Sequence, residues 1–122
     1  FYCNDLGLEE LNRVESNAPP EGNHTGIAGS RRTLVFVGFE DGHKIELVKY
    51  HDPVSATRTQ EMTQEGTAHI CFNVEDIEKT HADLTARGIQ FVTAPIIRET
   101  ENGRHGIVYA QDPEGNWLEF IE

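Results

Sequence analysis

The chain carries two copies of one pattern, and a duplicated unit restricts the fold more than any single element would. Asp41-Gly42-His43-Lys44-Ile45-Glu46-Leu47 parallels Glu114-Gly115-Asn116-Trp117-Leu118-Glu119-Phe120: an acidic-glycine turn, an aliphatic residue, a glutamate and another apolar residue fall at equal offsets. Upstream of each turn lies a run rich in β-branched and aromatic residues, Thr33-Leu34-Val35-Phe36-Val37 and Gly106-Ile107-Val108-Tyr109-Ala110. The pattern predicts two equivalent hairpins. Further upstream, Leu6-Gly7-Leu8 parallels Arg87-Gly88-Ile89, each closing a helix with glycine. Alternating stretches follow, 9–15 and 90–93.

The hairpins lie 73 residues apart and the helix ends 81, so the first copy has the longer internal loop: Asn17 to Ser30 contains Pro19-Pro20, Gly22, Gly26 and Gly29 and is too irregular for helix or strand. The second copy has more at its front. Thr67 to Val74 alternates as a strand, and Glu75 to Arg87 reads as a helix with acidic residues in its first turn and Ile77, His81 and Leu84 on one face. The unit is therefore β-α-β-β-β. In the first copy the corresponding strand and half the helix would fall ahead of Phe1. Either a natural N-terminal segment of on the order of 15 to 25 residues precedes this sequence, or the first copy is degenerate; the former is expected. The predicted organisation is a first module over 1–50, lacking its opening strand, a linker over 51–66 with Pro53 and a polar Thr-Arg-Thr-Gln run, and a second module over 67–122.

Composition narrows the function. The 122 residues carry 10 Lys and Arg against 21 Asp and Glu, a net charge of −11, with no basic cluster larger than Arg31-Arg32. A nucleic-acid surface or an anionic membrane surface is excluded on that ground, and no transmembrane stretch is present. Cys3 and Cys71 lack CxxC spacing and follow no secretory leader, so they are read as reduced thiols of a cytoplasmic protein.

Strand parity selects the candidate site. Residues two apart share a face, so Ile45 and Leu47 pack under a helix while Glu46 points away, and Leu118 and Phe120 do the same against Glu119. His69 sits opposite Ile70 and Phe72. Any one of these polar residues alone is ordinarily the solvated side of a strand or a structural histidine. Their repetition in one slot of a duplicated unit favours a shared face, on which two carboxylates and an imidazole are costly unless a metal or hydrogen bonds compensate.

The segments Phe1-Tyr2 through Leu6-Gly7-Leu8, Gly66-Thr67-Ala68-His69-Ile70 leading into Val74-Glu75-Asp76-Ile77, and Asp112-Pro113-Glu114-Gly115-Asn116-Trp117-Leu118-Glu119-Phe120 resemble the vicinal oxygen chelate superfamily. That superfamily includes glyoxalase I, methylmalonyl-CoA epimerase, extradiol dioxygenases and the fosfomycin and bleomycin resistance proteins. The resemblance implies an α+β fold in which paired βαβββ modules form a U-shaped mixed sheet with helices on the outer face, around a divalent metal. Carried over by position, it implies Glu46, His69 and Glu119 as metal ligands, with a fourth on the absent opening strand. A carboxylate in the Glu46 slot is most like glyoxalase I, since the epimerase typically has Gln there and the dioxygenases and fosfomycin resistance enzymes use no ligand from it. Bleomycin-type binders lack the metal set.

What the resemblance implies chemically is a lyase or isomerase acting on a small-molecule substrate by proton transfer next to a carbonyl, with Glu119 as the catalytic base. The ion is Ni, Co, Mn, Mg, Zn or Fe, which the ligand types do not separate. A homodimer is implied by resemblance alone. Three alternatives stay open: a non-catalytic protein that sequesters a small molecule, an epimerase-like enzyme and a ring-cleaving dioxygenase-like enzyme. Arg31 and Arg32 could clamp carboxylates, with a solvated strand start as the simpler reading. Trp117 shares parity with Glu119 and lines either a cavity or the core. His24, His43, His51, His81 and His105 receive no role.

Overall fold

The computed structural model describes residues 1–57 and 59–122; Arg58, in the Thr-Arg-Thr-Gln run assigned to the linker, lies outside the described residues. The fold is α+β, and the chain divides into two compact units, one of Tyr2–Thr57 and one taking up the remainder.

The first unit is a three-stranded antiparallel sheet of β1 (Glu9–Asn17), β2 (Arg31–Gly38) and β3 (Lys44–Asp52), in that order. The residues ahead of β1 are turns rather than the expected helix, yet they end as helices end. Gly7 takes φ 81° and the Leu8 N–H donates to the Tyr2 carbonyl at 3.0 Å. Gly88 repeats this closure with φ 94°, the Ile89 N–H reaching Leu84 O at 3.0 Å. Glycine fits both positions because a side chain resists that backbone region. β3 continues two residues past position 50, where His51 Nε2 lies 2.7 Å from the Thr33 hydroxyl. Tyr2, Leu8, Ala18 and Val37 are the buried apolar residues of this unit.

The second unit is a βαβββ module: β4 (His69–Asn73), α1 (Ile77–Ala86), β5 (Ile96–Thr100), β6 (Gly103–Gln111) and β7 (Trp117–Ile121). Its sheet runs β4-β7-β6-β5, with β4 parallel to β7 and the other pairs antiparallel. The first and last strands of the module are therefore neighbours. One expected strand moves. Residues 90–93 make only the isolated bridge Phe91 to Ala110, and the strand pairing with β6 is β5. Pro95 has no N–H to give a ladder, so regular pairing starts after it, at the β-branched Ile96-Ile97.

α1 packs on the face of the sheet carrying Leu118, Phe120 and Val108, through Ile77 and Leu84. Phe72 stacks on Phe120 with ring centroids 5.6 Å apart, and Phe91 bridges from Phe120 to His81, whose ring lies 4.6 Å away. The helix start is held from two directions. Asp76 caps it by accepting from the Lys79 N–H at 2.8 Å, while Glu122 at the chain end accepts from the Ile77 N–H at 2.9 Å. Arg104 ties Glu122 to Glu78 by charge-assisted bonds of 2.7 and 2.6 Å. Removing the cap by Asp76→Ala is expected to lower stability by about 1 kcal/mol, read from the urea midpoint. Among the described residues no helix is long and apolar enough to cross a membrane.

Candidate metal centre

With α1 covering one face of the second sheet, the odd-numbered side chains of β4, β6 and β7 occupy the other. In register, Cys71 stands opposite Glu119 and His69 opposite Trp117 on the parallel side, while Tyr109 and Gln111 stand opposite Glu119 and Trp117 on the antiparallel side. His69 and Glu119, which the sequence nominated together, meet: Nε2 of the imidazole donates to Oε2 of the carboxylate at 3.1 Å. The His69 side chain is 45% exposed and that of Glu119 only 14%, so the imidazole forms the open side of the pair.

The other carboxylate oxygen, Oε1, accepts from the Tyr109 hydroxyl at 2.5 Å. This bond is the chief reason that Glu119 lies below the usual glutamate range; burial opposes it, and the Cys71 thiol and the His69 charge reinforce it. The same bond, with burial, pushes the Tyr109 phenol up to about 12. Partial burial and the neighbouring carboxylate raise the Cys71 thiol. Glu119 is thus ionised across the neutral range and fixed in orientation. Its contribution to stability is full above the ordinary glutamate value and fades as pH falls through its own lowered value. Removing the phenol by Tyr109→Phe is expected to raise the Glu119 midpoint in metal-free protein, measured by carboxyl-carbon NMR titration.

The donor chemistry of this corner suits a divalent ion. Two donors bound about 2.1 Å from one ion stand roughly 3.0–3.4 Å apart, and the Nε2 to Oε2 spacing of 3.1 Å matches that once the proton between them gives way to the ion. Imidazole and carboxylate together accept most divalent first-row ions and Mg. Among the described residues, no group of three or more His, Cys, Asp or Glu side chains is placed to hold an ion. Glu46, the remaining nominated residue, lies on β3 of the first unit with Phe36 opposite it, and its side chain is exposed.

Parity had more to give than the three nominated residues. The β6–β7 hairpin reflects about Glu114, so a count from that turn pairs Tyr109 with Glu119. Cys71 shares parity with His69 and was read only for its redox state. Trp117 is on the site face, its indole N–H donating to Gln60 O at 3.0 Å. Arg31 is exposed as a solvated strand start requires, but Arg32 is buried. His43 is engaged within its turn, Nδ1 lying 3.1 Å from Asp41.

The sequence profile of the Glyoxalase/Bleomycin resistance protein/Dioxygenase superfamily matches residues 1–120. The chain belongs to this superfamily. Lactoylglutathione lyase of Haemophilus influenzae is 29% identical over 125 residues, covering all of this chain and 79% of that protein. Glyoxalase I of Saccharomyces cerevisiae is 39% identical over 56 residues, which is 46% of this chain and 16% of the yeast protein. Among solved structures, a glyoxalase family protein from Bacillus cereus superposes with a TM-score of 0.78 at 26% identity, covering 97% of this chain and 79% of that one. Superfamily membership agrees with the resemblance drawn from the motifs, and the fold agrees with the glyoxalase fold.

Proposed function

We propose that the protein is a divalent-metal-dependent lyase or isomerase of the glyoxalase I type, which moves a proton on a carbon next to a carbonyl of a small-molecule substrate. The observation that carries this reading is the His69–Glu119 pair, an imidazole and an ionised carboxylate 3.1 Å apart on the first and last strands of one module. The likeness to lactoylglutathione lyase supports a thiol-conjugated 2-oxoaldehyde as substrate. His69 and Glu119 would hold the metal, and the same reading gives Glu46 a ligand's role. A divalent ion held there would supply a Lewis acid that polarises the substrate's carbonyl oxygen.

The chain's own residues account for the proton. Glu119 takes it from the carbon next to the carbonyl and returns it to the adjoining atom, which general-base chemistry requires of a group ionised at working pH. Tyr109 keeps the carboxylate aimed and ionised through Oε1 while Oε2 engages His69. Trp117, on the same face, offers an apolar wall. The two free thiols, Cys3 and Cys71, suit a cytoplasmic protein, and a homodimer accords with superfamily habit.

The test loads intact protein separately with Ni, Co, Mn, Mg, Zn or Fe and assays methylglyoxal–glutathione hemithioacetal, a methylmalonyl thioester and a catechol. Turnover of the hemithioacetal that is lost with a chelator and restored by an added ion is expected. Oxygen consumption with the catechol, or no divalent-ion binding by any preparation, overturns the reading.

A further inference from the structure

Cys71 is an exposed free thiol on the site face of the second unit. It stands directly opposite Glu119 across the parallel β4–β7 pair, one row along from His69 and Trp117, and its S–H donates to the Glu119 carboxylate. The proposed metal chemistry makes no use of it. The same carboxylate is held at Oε1 by the Tyr109 hydroxyl at 2.5 Å, and the Tyr109 ring meets the His69 imidazole edge-on with centroids 5.7 Å apart. A nucleophile hydrogen-bonded to a base, with that base oriented by a third group, is the arrangement that covalent catalysis requires. One row of the sheet supplies all three members, Cys71 on β4, Glu119 on β7 and Tyr109 on β6.

We propose that Cys71 and Glu119 form a second, metal-independent route that converts a free 2-oxoaldehyde to its 2-hydroxy acid without an external thiol. The proposal rests on the reading above for the substrate class and for Glu119 as the base. Sulfur adds to the aldehyde carbon, forming a C–S bond, and the carbonyl electron pair moves to oxygen, which receives the thiol proton by way of Glu119. The product is a hemithioacetal tethered to the chain, whose one C–H at the sulfur-bearing carbon lies beside the carboxylate. Glu119 removes that proton, and the electron pair left behind joins the carbon to its ketone neighbour as an enediol. The proton then returns to the former ketone carbon, while the hydroxyl proton passes to the former ketone oxygen, leaving a thioester. Water adds to the thioester, the C–S bond breaks and a proton from the water goes back to sulfur. One carbon is oxidised as its neighbour is reduced, so water is the sole co-reactant. The tether takes the place of the conjugating thiol.

The experiment incubates chelator-treated intact protein with methylglyoxal in the absence of any other thiol, following lactate by NMR and the protein by native mass spectrometry. Lactate above the protein-free rate is expected. It should fall to that rate in Cys71→Ala and in Cys71→Ser, which keeps a donor to Glu119 but cannot form a thioester, while Cys3→Ala matches wild type; circular dichroism checks each fold. Glu119→Gln should slow lactate at least roughly a hundredfold yet retain a mass increment of one aldehyde, which Cys71→Ala lacks. No lactate above the protein-free rate, or undiminished lactate in both Cys71 variants, overturns the proposal. Metal-loaded wild type is assayed in parallel with the glutathione hemithioacetal. Turnover there, with none of the free aldehyde by metal-free protein, removes the thiol route alone; the reverse pattern supports the thiol route and removes the metal one.

Discussion

Glu119→Gln is expected to lower turnover of the hemithioacetal by about a thousandfold, within the usual range for a lost general base, and to weaken divalent-ion binding at least roughly tenfold. The amide preserves the shape of the side chain but not its charge. It has one carbonyl oxygen where the carboxylate has two, and both are in use: Oε1 accepts from Tyr109 and Oε2 from His69. Whichever way the amide turns, its NH₂ faces a group that was donating, so one bond is lost and a donor meets a donor. Steady-state kinetics and calorimetric titration with Ni or Zn read the two effects separately, with circular dichroism as the check on folding. Turnover within threefold of wild type would remove Glu119 from the chemistry.

Gly106→Ala is expected to cost about 3 kcal/mol of stability, the upper part of the usual range for an overpacked core. A β-carbon at this position would lie 2.4 Å from Cγ2 of Ile77 and 3.1 Å from its Cβ. Ile77 has no solvent exposure, and a β-branched side chain in a helix has little rotamer freedom with which to retreat. Nor can the helix lift easily at that end, where Asp76 and Glu122 both hold its first N–H groups. Urea denaturation measures the loss. Ile77→Leu in the Gly106→Ala background should restore part of it by removing the β-branch methyl, Cγ2, that the new carbon meets, an interaction a double-mutant cycle isolates. A cost below about 0.5 kcal/mol, the scale of an ordinary surface change, would mean that the helix yields.

The elements that alternate strongly were readable from sequence because burial on one face leaves a period-two imprint. β2, β3, β6, β7 and α1 were placed within a few residues for that reason, and the parity that points Glu119 away from Leu118 and Phe120 is the parity that brings it to His69. β5 was missed because it carries no such alternation: Ile96-Ile97-Arg98-Glu99-Thr100 is identified by its partner β6 rather than by its own pattern. Tyr109 was legible in principle, since it and Glu119 are equidistant from Glu114, but one residue of error in the turn would have sent it to the opposite face. Arg32 was not legible. Its doublet with Arg31 reads as a solvated pair, and only the strand partners Ser16 and Tyr50, brought from 16 residues before and 18 after, reveal that one of the two is buried.

The pairing of β4 directly with β7 has a kinetic consequence. His69 and Glu119 are separated by 50 residues of chain, so their contact closes a loop that contains the helix and both intervening strands. The β5–β6 turn and α1 can form from local contacts, but the donor pair cannot exist until the module's two ends have met, and long loops close late because their entropy is surrendered before any contact repays it. If the proposed metal site is real, its affinity should accordingly trail the appearance of helical signal during refolding, making the pair a timer for completion of the module.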